Sequence, residues 1–121
     1  MAVATVQTIA FDQSRTAEIG PALLDYGARE SGLKQLGPSL MTFAEESSTD
    51  WWTLKYEEVV FVAEGKAVIT VRGTDSVVVA EPGQAITIPR DATVRYGGTA
   101  GSRLFLAITP VNWRELEETE S

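Results

Sequence analysis

From residue 40 onward the chain is a series of short apolar runs broken by turn-forming residues. The runs predict strands over 40–45, 51–56, 58–64, 66–72, 75–80, 84–88, 92–97 and 103–109. The breaks fall at Ser47-Ser48-Thr49-Asp50, at Gly65, at Gly73-Thr74-Asp75, at Pro82-Gly83, at Pro89 and through 97–101. Many short strands recurring about every 8–12 residues predict an all-β sandwich or barrel. Between 40 and 109 no segment carries a 3.6-residue apolar stripe, so no helix is expected there.

The flanks are less regular. Residues 2–11 alternate loosely and include β-branched side chains, which predicts an edge strand or extended arm. Gly20-Pro21 opens a short helix through Leu23, Leu24 and Tyr26, with Gly27 to close it; Gly32, Gly37 and Pro38 mark the remainder as loop. Residues 111–119 predict a short C-terminal helix capping one end of the barrel, with Trp113 and Leu116 three apart on one face. The expected organisation is one domain, with residues 1–39 as an arm and loop packed on a barrel and tail of residues 40–121.

Composition narrows the chemistry. The chain has no cysteine and no histidine. Disulfides, thiolate metal sites and histidine-based nucleophilic catalysis are therefore excluded. The usual general base near neutral pH is missing too. The net charge of −7, from 10 basic and 17 acidic residues, repels a phosphate backbone and argues against a nucleic-acid partner. Part of the excess is the run Glu115, Glu117, Glu118 and Glu120, which reads as a solvated end. No stretch approaches the roughly 18 apolar residues of a membrane span. The N-terminus lacks a basic start followed by an apolar run, so the expectation is a cytoplasmic protein with no membrane partner. No P-loop or GxGxxG is present.

Two segments carry a resemblance. One is Trp52-Thr53-Leu54-Lys55-Tyr56-Glu57-Glu58-Val59-Val60-Phe61-Val62-Ala63-Glu64-Gly65, the other Glu81-Pro82-Gly83-Gln84-Ala85-Ile86-Thr87-Ile88-Pro89-Arg90-Asp91. They resemble the two sequence motifs of the cupin superfamily. Glu58, with Gly65 after six intervening residues, is similar to the family's metal-ligand glutamate; Gly83 and Pro89 match the second motif. Asp91 stands where that motif has a second glycine, and Val94 where it has a histidine. The resemblance implies a double-stranded β-helix, a jelly-roll-like barrel. Trp-Thr-x-x-Tyr-x-Glu, the later Glu-Gly, and Pro110-Val111-Asn112-Trp113 are most similar to the EutQ group of ethanolamine-utilisation cupins, over about residues 40–114. Gly65 and Pro82-Gly83 also make physical sense alone, as turns that need positive φ.

The resemblance places the family's histidines near Trp51-Trp52, Thr53-Leu54 and Val94, none of which is a metal ligand. Glu58 alone does not make a transition-metal site, so neither a metal nor another cofactor is expected. If Glu58 points into the barrel, strand alternation puts Tyr56, Leu54 and Trp52 on its face and Lys55, Thr53 and Glu57 on the other. The resembled group's Trp, Thr, Tyr and Glu span both faces, so the orientation stays open.

The expected site has Glu58 as a catalytic carboxyl and Trp52, Thr53, Lys55, Tyr56 and Tyr96 as ligand-binding residues. A carboxyl inside an apolar barrel has its pKa raised and can exchange a proton; the competing account is a structural carboxyl bonded to Tyr56 or another barrel residue. Tyr56 and Tyr96 are equally pocket walls or core aromatics with polar tips. Trp51 and Trp52 form a lid or pack the barrel, and Lys55, Arg95 and Arg103 hold an anion or face solvent.

The function expected is a metal-free cupin that binds a small molecule, anionic or carboxylate in character, or a partner, in an accessory metabolic role. The alternative implied by the resemblance is an ATP-dependent acetate kinase linked to ethanolamine utilisation. An isomerase like the metal-free sugar-nucleotide cupins is discounted, because those use a histidine base. Val77, Val78 and Val79 leave apolar surface on both faces of one strand, which suits a homodimer, with or without a ligand.

Overall fold

The computed structural model describes residues 6–11, 16–19, 22–25, 32–74 and 76–110, and every helix or strand among them is a strand. The strands are β1 (Thr16–Ile19), β2 (Ala22–Asp25), β3 (Gly37–Phe43), β4 (Ser47–Ser48), β5 (Trp52–Thr53), β6 (Glu57–Glu64), β7 (Ala67–Val71), β8 (Ser76–Ala80), β9 (Ala85–Ile88), β10 (Thr93–Gly98) and β11 (Arg103–Thr109). They form a six-stranded sheet, β1-β2-β3-β11-β6-β9, and a five-stranded sheet, β4-β10-β7-β8 with β5 also on β10. Every pairing is antiparallel.

Alternation along the strands builds the core between the sheets. β6 buries Glu58, Val60 and Val62 and exposes Glu57, Val59 and Phe61; β11 buries Leu104, Leu106 and Ile108. Ala67, Ile69, Val94 and Tyr96 face them from β7 and β10. Each fully buried aliphatic side chain contributes about 1.5–3 kcal/mol, which holds two short-stranded sheets face to face.

Gly65, at φ +79°, turns the chain from β6 in the six-stranded sheet to β7 in the five-stranded sheet, two strands that do not pair with each other. A Cβ there would lie 2.7 Å from the Ser102 Cα and overlap its hydroxyl. That hydroxyl accepts from the Lys66 amide at 3.0 Å, donates to the Lys66 carbonyl at 3.2 Å, and pairs with the Thr99 hydroxyl at 2.9 Å. Glycine is thus demanded by both the backbone and the packing. Asp91, at the place of the second motif glycine, has φ +75°. The position calls for the left-handed region, and an aspartate, whose short polar side chain tolerates it, stands in.

The strands expected from residue 40 onward are all present, with ends shifted by a few residues; 51–56 is the shortest, pairing only over Trp52–Thr53. Two expectations before that are corrected. Residues 22–25 are strand, not helix: they pair with β1 and β3, and the long-range ladder to β3, which buries Ala22 and Leu24, outweighs local preference. Gly37 and Pro38 open β3 instead of lying in loop. Of the edge strand or extended arm expected over 2–11, the edge strand is not formed in the described part, 6–11. The C-terminal helix over 111–119 lies outside the described residues.

Candidate functional site

The Glu58 side chain points into the barrel. Trp52, Leu54 and Tyr56 are partly or fully buried, as Glu58 is, whereas Thr53 and Glu57 are exposed. The burial alternation expected around an inward Glu58 is therefore present from Trp52 to Glu58, although the chain bends at Lys55 and Tyr56 between β5 and β6.

Glu58 and Tyr96 meet across the core. β6 supplies the carboxyl and β10 the phenol, and the Tyr96 hydroxyl donates to Glu58 Oε2 at 3.0 Å. Both residues are almost wholly buried, at 3% and 2% exposure. Tyr56 lies close enough to act on the Tyr96 hydroxyl, so three polar groups adjoin in the core. Burial, then the neighbouring charge of Glu58, then Tyr56, hold the Tyr96 hydroxyl well above the usual tyrosine value of 10.0. Trp52 packs edge-on against the Tyr96 ring, with centroids 6.3 Å apart and planes at 78°. The structure thus brings together Glu58, Tyr56, Tyr96 and Trp52. It does not bring Thr53 into that group, because Thr53 is exposed and bonds the Thr93 hydroxyl at 2.7 Å. Lys55 sits half-exposed at the bend before β6.

The cavities lie beside this network. The two sheets end in β8 and β9, and there a cavity of about 530 Å³ opens between them. Its inner walls are Ile69, Val71, Ile86, Ile88, Ala92 and Val94, with Gln84 and Thr87 contributing polar groups. Register ties it to the network: Ile88 is the cross-strand partner of Glu58, and Ile69 that of Tyr96. A second cavity, of about 470 Å³, lies among β6, β9 and β11 and includes Glu58 in its lining with Leu36, Val59 and Thr109. Glu58 thus lines the second hollow, and the two hollows share Thr87, Ile88 and Pro89.

The apolar walls were missed at the sequence level. Val94 was noted only as a replaced histidine, and Ile69, Ile86 and Ile88 look like ordinary inward strand residues; which of them border empty space depends on where the sheets part. The wider cupin superfamily implies a metal, and the residues here do not fit one. The replaced ligand positions carry indole, aliphatic and hydroxyl groups, and the Thr53 hydroxyl faces outward. Among the described residues no group of three or more His, Cys, Asp or Glu is placed to hold a metal ion.

Comparison with known proteins agrees with this architecture. The profile of the family described as "Ethanolamine utilisation protein EutQ" matches residues 9–115. A protein named "Acetate kinase EutQ" from Escherichia coli is 31% identical over 65 residues, which is 54% of this chain and 27% of that protein. This chain thus spans about a quarter of its curated relatives' length. Among solved structures, the Clostridium difficile EutQ protein superposes with a TM-score of 0.68 at 23% identity, covering 87% of this chain and 83% of the other. An RmlC-like cupin from Shewanella frigidimarina gives 0.65 at 16% identity, over 87% and 92%. These likenesses identify the double-stranded β-helix of the cupins, and the profile match identifies the family: the chain belongs to the EutQ family of ethanolamine utilisation proteins.

Proposed function

We propose that this chain is a metal-free binding cupin that serves ethanolamine utilisation in an accessory role, in the cytoplasm, by holding a small molecule at the β8–β9 seam. The observation that carries the proposal is the apolar cavity itself, which reaches the cross-strand neighbours of Glu58 and Tyr96. Small-ligand sites are concave and mostly apolar, with a few polar groups to set orientation. Ile69, Val71, Ile86 and Val94 would take the hydrocarbon part of the ligand, while Gln84 and Thr87 supply the polar selectivity.

The test uses the neutral dye N-phenyl-1-naphthylamine, whose emission rises in an apolar site. Val94→Phe and Ala92→Leu each fill the cavity from a different loop or strand. Saturable dye binding that both variants abolish while keeping the native circular dichroism supports the proposal. Binding unchanged in both folded variants rejects it.

Phosphoryl transfer to acetate, the activity in the names of the Escherichia coli and Salmonella typhimurium relatives, has less support here. Such chemistry depends on neutralising phosphate charge with Mg²⁺ and cations, and the seam is walled by aliphatic side chains. Glu58 would have to hold the metal while also accepting from Tyr96.

The same proposal includes a homodimer. Val77 and Val79 are half-exposed on β8. On the six-stranded sheet Phe105 lies directly across from both Phe61 and Leu40, with Phe61 and Phe105 exposed at 40% and 38%. A second copy would cover an apolar row of this kind.

A further inference from the structure

The outer face of the five-stranded sheet gathers positive charge. Ala67 and Ile69 are buried, so alternation sends Val68 and Thr70 outward, with Lys66 and Arg72 at the two ends of the same row. On β10 the outward positions are Thr93, Arg95 and Gly97, beside the buried Val94 and Tyr96. Register sets Arg95 across from Thr70, and Gly97 across from Val68 and Ser48. Three of the chain's 10 basic residues thus share one face of a protein whose net charge is −7.

Two of them are ordered by one aromatic ring. The Arg95 guanidinium carbon lies 4.2 Å from the centre of the Trp51 ring, and that of Arg72 lies 5.8 Å from it. A guanidinium lying over an indole uses its flat face for the cation–π contact and leaves its N–H edge for planar, forked acceptors. The Arg95 Nε is buried and has no hydrogen-bond partner among the described residues. The stack, not a carboxylate on that nitrogen, therefore sets the side chain's orientation. Along the same face runs a groove of about 560 Å³, bordered by Ser47, Ser48, Lys66, Thr70 and Thr99, with Glu46 as the one carboxylate in its lining, and it reaches Arg95 through Thr70, the cross-strand partner of Arg95. Gly97 forms its floor, where a Cβ would sit 3.0 Å from the Val68 carbonyl oxygen and 3.3 Å from that of Ser47.

We propose that this face binds the oxyanion of a small metabolite, a phosphate or carboxylate group, with Arg95 and Arg72 held on Trp51 as the grip and Lys66 with the groove hydroxyls taking the rest of the ligand. The site is separate from the seam cavity and does not depend on it. Arginine suits the role because its fork meets two oxygens at once, and hydroxyls complete the shell of an anion in a shallow groove.

The experiment is a titration of the full chain with inorganic phosphate, and separately with acetate, at constant ionic strength set by chloride. The reporter is the indole N–H resonance of Trp51, assigned with Trp51→Phe. A saturable shift with either anion supports the site, and the anion that saturates identifies the group recognised. Loss of a charge-assisted contact in Arg95→Gln weakens binding about tenfold. Arg95→Lys, which keeps the charge and loses the planar stack, weakens it as well. Arg72→Gln gives an independent second variant. Arg95→Gln retains dye binding at the seam, so failure here and failure of the cavity proposal are told apart. A shift that chloride reproduces, that never saturates, or that persists unchanged in both Arg95→Gln and Arg72→Gln overturns the proposal.

Discussion

Tyr96→Phe removes one oxygen from the buried polar cluster and leaves the ring against Trp52. Glu58 Oε2 then loses the donor 3.0 Å away. Taking the donor from a buried acceptor costs about 1–3 kcal/mol, so the variant should be less stable by that amount at pH 8. Alkaline pH then separates this account from simple loss of packing. The folded Tyr96 hydroxyl titrates well above 10.0, chiefly through burial and then through the charge of Glu58. The unfolded hydroxyl titrates near 10. Below pH 10 both states hold the proton and the contribution is fully present. Above pH 10 the unfolded state releases the proton first, so stability falls as pH rises until the folded pKa is reached. One unit above the unfolded value the loss is about 1.4 kcal/mol. Phenylalanine has no proton to lose, so the gap between the two proteins should narrow by that amount between pH 8 and pH 11. Urea unfolding followed by tryptophan fluorescence measures both curves, and titrations elsewhere in the chain cancel in the difference. A gap that stays constant over this range would refute the reasoning.

Asp91 sits at φ +75°, so Asp91→Gly should be neutral to within about 1 kcal/mol, whereas Asp91→Val should cost about 1–2 kcal/mol; urea midpoints rank them, and a valine variant as stable as the glycine one contradicts the backbone argument. Light scattering should find twice the 13.1 kDa chain mass at micromolar concentration, and Phe61→Glu, on an exposed position, should return it to the monomer; a monomer throughout would count against the paired assembly.

The fold was largely legible because its strands carry the period of two themselves. The run from Glu57 to Glu64 alternates buried and exposed through most of its length, and Gly65 announces the turn that carries the chain to the other sheet. The early segment misled for the opposite reason. Ala22–Asp25 is four residues long, too short for its own pattern to choose between helix and strand, and its conformation comes from pairing with β1 and β3. Of the expected site residues, Trp52, Tyr56, Glu58 and Tyr96 share one cluster because inward positions of facing sheets converge. Thr53 belongs to the other face of its strand by the same alternation.

The sequence by itself determined the strand periodicity, the turn glycines, the absence of histidine and cysteine chemistry, and which side of the first motif accompanies Glu58 once that residue points inward. These are local properties, set by backbone stereochemistry and side-chain type. Only the tertiary structure decided that Tyr96 faces Glu58, that the sheets part at β8 and β9 to leave an apolar hollow, and that Arg72 and Arg95 lie over one indole ring. Each of those depends on the register between strands far apart in the chain, and register is chosen by how two whole faces pack, which no single segment encodes.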